Sequence, residues 1–311
     1  MTPSFQELKE EIIAAPYLFA KEKEIDLKVF ISTVLEELYC PRREDDEKNA
    51  SSISPSRNLK KPPLVHALEL VQKRLRSMRE QKRREEEEEE EEREAAFVVA
   101  EFGCYTGGTL GQIVDYLSIP KNPKNKERCE GEECECYHPR TMIYGFDSFE
   151  GLPENWYNNR GKGWFNLGSK EISVPGAVIV KGWFEDTVPR FFQEMLSATG
   201  SVLSLIHIDS DLYSSAKIVL NELGRFLRES VHFRSNKFPL YLVFDELINY
   251  PEFENHEIKA LYEFLLETDD FIMCELIGSD QRVKGGKPRF YRKNEPCDMR
   301  VLFKLLPREK Q

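Results

Sequence analysis

The stretch FVVAEFGCYTGGTL, Phe97 to Leu110, limits this chain's options more than any other. Phe97, Val98, Val99 and Phe102 are apolar and β-prone, and they run straight into Gly103, Gly107 and Gly108. The segment therefore reads as a buried strand ending in a glycine turn. Leu110, Ile113, Val114 and Leu117 then recur at helical spacing, with Thr106 or Thr109 placed to cap the start. Glycines let a ligand approach the backbone, and Glu101 at the strand's carboxyl end offers an acceptor to a cation or to hydroxyl and amine donors. The spacing is GxxxGG, not GxGxxG or GxxxxGK, and an acidic neighbour repels phosphates. A phosphate cradle is thus not the first expectation, and simple turn chemistry is the alternative to a ligand site.

The same pattern returns downstream, each time with a carboxylate where the apolar run stops. Met142 to Asp147 (MIYGFD) reads as a strand ending at Asp147; Ala177 to Lys181 (AVIVK) runs into Gly182, Trp183 and Phe184. Val202 to Ile208 (VLSLIHI) ends at Asp209, Ser210 and Asp211, and Pro239 to Phe244 (PLYLVF) ends at Asp245 and Glu246. Helices are expected from Tyr213 to about Arg228 and from near Asn255 or His256, with a sixth strand at Phe271 to Ile277. A closing pair of strands is expected within Phe290 to Leu305. Alternating strands and helices imply a doubly wound, mostly parallel α/β sheet of Rossmann-like type, whose ligands lie beyond the carboxyl ends of the strands. Asp147, Asp209, Asp211, Asp245 and Glu246 should therefore face one crevice. Helix capping explains one or two such carboxylates; it explains four strand ends poorly. In such sheets an acidic residue closing the second strand takes ribose hydroxyls, which suits Asp147, and the pair Trp183 and Phe184 could flank an adenine.

The remaining segments set the domain plan. Residues 1–39 carry helical periodicity broken near Pro16, and residues 40–63, rich in Ser, Pro, Asn and charge, read as a flexible linker. On that basis residues 1–63 are expected to be removable without unfolding the rest. Residues 64–95 read as a charged helix, basic up to Arg84 and then eight consecutive glutamates, Glu85 to Glu92. Residues 96–306 form the main domain, with an insert at 120–139 that carries Cys129, Cys134, Cys136 and His138. Three thiols and an imidazole could hold zinc, although CxxxxCxCxH is not a standard finger spacing and a solvated loop is the alternative. The aromatic, glycine-bracketed stretch from Ser148 to Gly168 reads as a lid or as ordinary packing over the sheet.

A formal net charge of -11 argues against a nucleic-acid partner, and no apolar run approaches the ~20 residues needed to span a membrane. Seven scattered cysteines and an amino terminus without a basic-then-apolar leader suggest a cytoplasmic protein.

Five collinear segments, EFGCYTGG, YGFDSFEGLP, KGWFEDTVP, HIDSDLYSS and FDELINYPEFENHEIKA, together resemble the class I S-adenosylmethionine-dependent methyltransferases of the macrocin O-methyltransferase (TylF/MycF) type. The resemblance covers about residues 96–306. It implies a sheet whose last strand is antiparallel, and O-methylation assisted by a divalent cation, usually magnesium. It also implies that Glu101, Gly103, Tyr105, Gly107 and Gly108 surround the methionine part of the cofactor, with Asp147 at its ribose. Ser148, Phe149, Trp183 and Phe184 would lie near ribose and adenine, and Asp209, Asp245 and Glu246 would bind the metal. Glu246 departs from the second aspartate common in relatives, though its longer side chain still offers oxygen to a hard cation. Residues 1–95 and the cysteine insert have no counterpart in that family.

The chemistry is consistent with this. A sulfonium needs no acid activation, so the enzyme must supply a nucleophile, and a metal-bound hydroxyl has a lowered pKa. His207, His256 and Asp211 are candidate proton acceptors, His207 being equally readable as a core histidine. The expected partner is a small-molecule hydroxyl acceptor, and the amino-terminal helices could pair subunits into a homo-oligomer. Two rival readings are an oxidoreductase or hydroxylase on the same sheet, which NAD(P) binding or an iron requirement would reveal, and a non-catalytic module that recruits a partner.

Overall fold

The computed structural model describes residues 27–39, 59, 61–85, 96–118, 141–157, 159–197, 201–235, 238–248, 250–279 and 300–308. The cysteine insert, the glutamate run beyond Glu85, the segment expected to form a first amino-terminal helix and most of the linker lie outside the described residues.

Seven strands form one sheet: β1 (Ala96–Phe102), β2 (Thr141–Asp147), β3 (Val178–Lys181), β4 (Ser201–Ile208), β5 (Leu240–Phe244), β6 (Ile272–Ser279) and β7 (Val301–Pro307), in the order β3-β2-β1-β4-β5-β7-β6. The first five strands pair in parallel, and β7 enters antiparallel between β5 and β6. This is the doubly wound α/β architecture expected, with the antiparallel last strand. Only one described strand occupies the region expected to hold a closing pair, and its partners are β5 and β6.

The central strands are buried on both sides, so each face takes alternate residues. Val98, Ala100 and Phe102 point to one face, where α1 (Leu27–Tyr39), α4 (Phe184–Ser197), α5 (Tyr213–Glu229) and α7 (Glu257–Thr268) complete the core. Phe97 and Val99 point to the other, covered by α2 (Pro63–Glu85) and α3 (Gly108–Ser118). A single turn of helix, α6 (Val231–Arg234), precedes β5. α4 was not foreseen from the sequence. Its strong amphipathicity, with Val188, Phe191, Phe192 and Met195 buried, is interrupted by Pro189 within its second turn.

The described amino-terminal helices, α1 and α2, pack into these layers, and the burial of α1 runs against the expectation that residues 1–63 can be removed without unfolding the rest. Phe30, Val34 and Leu38 recur every four residues and are buried in the main core, with the Phe30 and Tyr262 rings 5.5 Å apart. Leu64, Ala67, Leu68, Val71 and Leu75 of α2 do the same on the opposite face. No helix among the described residues is long and apolar enough to cross a membrane.

Candidate functional site

Backbone hydrogen bonds continue the ladder past the strand ends and fix the site residues in a row. Gly103 N–H donates to Phe146 O (2.8 Å), Asp209 N–H to Phe102 O (2.9 Å) and Asp245 N–H to Ile208 O (3.0 Å). At Gly103, φ is +99°, and a Cβ would lie 1.8 Å from the carbonyl oxygen of Asp209, so only glycine lets β1 and β4 end this close together. Beyond this row lies a cavity of about 300 Å³, at the small end of the ligand-site range.

Asp147 anchors one end of the cavity. Its two oxygens accept the N–H groups of Tyr105 (2.8 Å) and Phe149 (2.7 Å), which ties the glycine turn to the turn after β2. A carboxylate has further lone pairs, so Asp147 retains capacity for hydroxyl donors. Burial raises its pKa, and the two N–H bonds oppose that rise. Gly103, Tyr105, Ser148, Gly182, Trp183 and Phe184 line the same end. Phe184 also packs edge-on against Phe102, 5.8 Å away.

The acidic residues gather at the other end. Asp209, Asp245 and Glu246 each offer an oxygen, and these oxygens lie within 4.8 Å of one another. Asp211 and Glu246 are both lifted well above the usual carboxylate range, first by burial and then by neighbouring carboxylates. Asp209 is pushed up to about 7 by burial and by Asp245. For Asp245, burial acts upward, but His207 and the Arg300 guanidinium outweigh it and hold the group below the usual range. Arg300 contacts both Asp245 oxygens, through Nε and through Nη2 at 3.3 Å. Glu246 Oε2 is buried without a hydrogen-bond partner. Mutually repelling, partly unsatisfied carboxylates of this kind suit a hard divalent cation, for which oxygen-only ligands are preferred.

Not every expected site residue meets the cavity. Glu101 is fully buried, and its Oε1 lies 3.0 Å from His207 Nδ1. Gly107 and Gly108 are not among the residues that line the cavity. A Cβ at Gly107 would meet the Val174 side chain at 2.5 Å, and at Gly108 it would meet nothing within 4 Å. The helix begins at Gly108, which leaves Thr109 inside α3 rather than at its cap. Phe149 has its ring packed in the core on the α2 and α3 side. His256 is absent from the lining and lies among aromatic rings, stacked on Tyr250 at 6.0 Å, and burial lowers its pKa. Asp211 does line the cavity, in left-handed backbone at φ +65°, a strained conformation for a non-glycine residue.

Three contributors lie outside the named site residues: the aromatic loop was read only as a lid or as packing, and Glu257 and Arg300 were not foreseen. Leu152, Trp156, Arg160 and Phe165 bring the 151–168 loop over the cavity, with the Arg160 guanidinium 4.7 Å from the Trp156 ring. Leu152 and Trp164 hold the base of that loop through an N–H to O bond of 2.8 Å. Fully buried Glu257 accepts both the N–H (3.1 Å) and the hydroxyl (3.0 Å) of Ser210, bracing the segment between Asp209 and Asp211. Arg300 stands immediately before β7, 55 residues beyond its partner Asp245. The aromatic loop carried a sequence signal in its composition; Arg300 carried none.

No protein-family model matches this chain, and no curated protein matches it. Among solved structures, it aligns with a selenomethionine-substituted CurJ carbon methyltransferase at 10% identity and a TM-score of 0.25, over 70% of this chain and 50% of that one. The chain thus spans about half the length of that protein, and so slight a likeness adds nothing to the fold read from the strand order.

Proposed function

We propose that this cavity binds S-adenosylmethionine and that the protein transfers its methyl group to a hydroxyl of a small-molecule acceptor, with a divalent cation, magnesium in the first instance, at Asp209, Asp245 and Glu246. The observation that carries this reading is that one cavity is lined both by Asp147, Trp183 and Phe184, from the ends of β2 and β3, and by three convergent carboxylates from the ends of β4 and β5, with β1 between them. When bound, the cofactor supplies an electrophilic methyl group and the cation acidifies a hydroxyl.

The chain's own residues do the rest. Asp147 accepts from the ribose hydroxyls while its backbone partners hold the turn still. Trp183 and Phe184 provide apolar surface for a base. The acidic lining favours a cationic sulfonium and disfavours competing phosphorylated ligands. Asp211, which lines the cavity beside the three carboxylates, accepts the proton released by the acceptor hydroxyl. Leu152, Trp156 and Phe165 exclude water from above.

Calorimetric titration with S-adenosylhomocysteine and with Mg²⁺ tests the two ends separately. The parent protein should bind both. Asp209→Asn and Asp245→Asn should each lose Mg²⁺ binding, by about 10-fold or more, while the nucleoside's affinity stays unchanged. A parent that binds neither ligand, or that binds NAD(P) in place of the nucleoside, would overturn the reading.

A further inference from the structure

Resting on that cation site, we infer that Glu101 and His207 are positioning residues which hold Asp245 in its coordinating pose, and that Glu101 is not a ligand of the cofactor.

Strand alternation places these groups together. Phe97 and Val99 of β1, Leu205 of β4 and Val243 of β5 all pack on the α2 and α3 face of the sheet. Two residues further along each strand stand Glu101, His207 and Asp245. Register then makes them neighbours, since Glu101 pairs directly with His207, and His207 pairs with Val243, two residues before Asp245. The geometry follows from that register. Glu101 Oε1 lies 3.0 Å from His207 Nδ1, and His207 Nε2 lies 3.7 Å from Asp245 Oδ1.

An imidazole has one rotation to fix, and Glu101 fixes it. With Nδ1 engaged, the opposite nitrogen is directed at Asp245. Arg300 grips the same carboxylate through both of its oxygens, while His207 Nε2, which makes no hydrogen bond, faces Asp245 at ion-pair distance. Outer partners of this kind set ligand orientation and thereby metal affinity. Glu101 and His207 are both wholly inaccessible, and neither lines the cavity. A cofactor could reach Glu101 only if this packing were dismantled. A buried charged pair is no cheaper to fold than an apolar pair of the same size. Its contribution therefore lies in what it orients.

The test compares the parent with Glu101→Leu and Glu101→Gln, using Mn²⁺ followed by electron paramagnetic resonance and S-adenosylhomocysteine followed by calorimetry. Glu101→Leu should weaken Mn²⁺ binding by about 10- to 100-fold. Glu101→Gln, which keeps an oxygen for Nδ1, should restore most of that affinity, and nucleoside affinity should be equal in all three proteins. Weakened nucleoside binding with intact Mn²⁺ binding would make Glu101 a cofactor ligand and overturn the proposal; so would no change in either. Should Glu101→Leu fail to fold, His207→Gln carries the same measurement, and equal loss of both ligands in it overturns the proposal. A parent that binds no Mn²⁺ rejects the cation site itself, which is distinct from variants that bind it as well as the parent does.

Discussion

At Gly103 one methyl group decides whether two strand ends can meet. Its φ of +99° and the 1.8 Å approach to Asp209 O act together, so Gly103→Ala should force the β4 end away and carry Asp209 with it. We expect a loss of about 2 kcal/mol or more in denaturant unfolding, together with loss of Mg²⁺ binding. Full stability in that variant would show that the strand ends tolerate separation. Gly107 is different in kind, because its left-handed φ of +79° and the Val174 side chain account for it without any ligand. The sequence could not separate these two glycines, since both stand in one motif and the atoms that distinguish them come from residues 65 or more positions away. Carboxylates were more legible. Asp147, Asp209, Asp245 and Glu246 each follow an apolar run at once, and parallel topology carries such positions to one edge. Glu101 breaks that rule only because it lies one residue inside its strand, where alternation turns it toward His207.

Among the elements, α1 best shows how far periodicity alone can reach. Its repeat of Phe30, Val34 and Leu38 identified a helix but not the surface that helix covers, and the linker beyond it suggested independence. The contacts with α7 give the opposite answer. Phe30→Ala should therefore cost about 3–5 kcal/mol, as deletion of a buried ring does in other cores. Removal of residues 1–63 should lower the melting temperature further, and a truncated protein that melts like the parent would return α1 to the status of an appendage. The first six strands were legible to within one or two residues because both faces of the central ones are buried and the apolar runs are continuous. α4 escaped notice because Pro189 lies inside it and because its aromatic start read as a ligand wall. That reading was incomplete, for Phe184 serves the cavity and the core at once.

For the whole molecule, the concentration of buried acids makes stability depend on pH in a definite direction. The Asp209 carboxyl, raised from 3.8 to about 7, and His207, raised from 6.5 to about 10, both bind a proton more tightly when the chain is folded. For His207, burial acts downward and is outweighed by its contacts with Asp245 and Glu101. Their stabilisation is complete below the ordinary values and is lost as pH rises through the folded ones. Asp245, held below its ordinary 3.8, acts in the opposite sense, but only in acid below that value. Without added cation, the melting temperature should fall steadily from about pH 4 to about pH 10, and Mg²⁺ should raise it most at the alkaline end, where protons no longer compete for Asp209. Scanning calorimetry across that range checks both, and a melting temperature that climbs between about pH 5 and about pH 8 would contradict the proton balance. The insertion of β7 between β5 and β6 has a consequence for how the protein is made. A ribosome delivers β1 to β6 first, and until residues 300–307 emerge, β5 has no neighbour on that side and Asp245 has no Arg300. The nascent sheet therefore waits with a gap in its interior, and the site closes in a single late event when one arriving strand supplies both the missing ladder and the missing guanidinium.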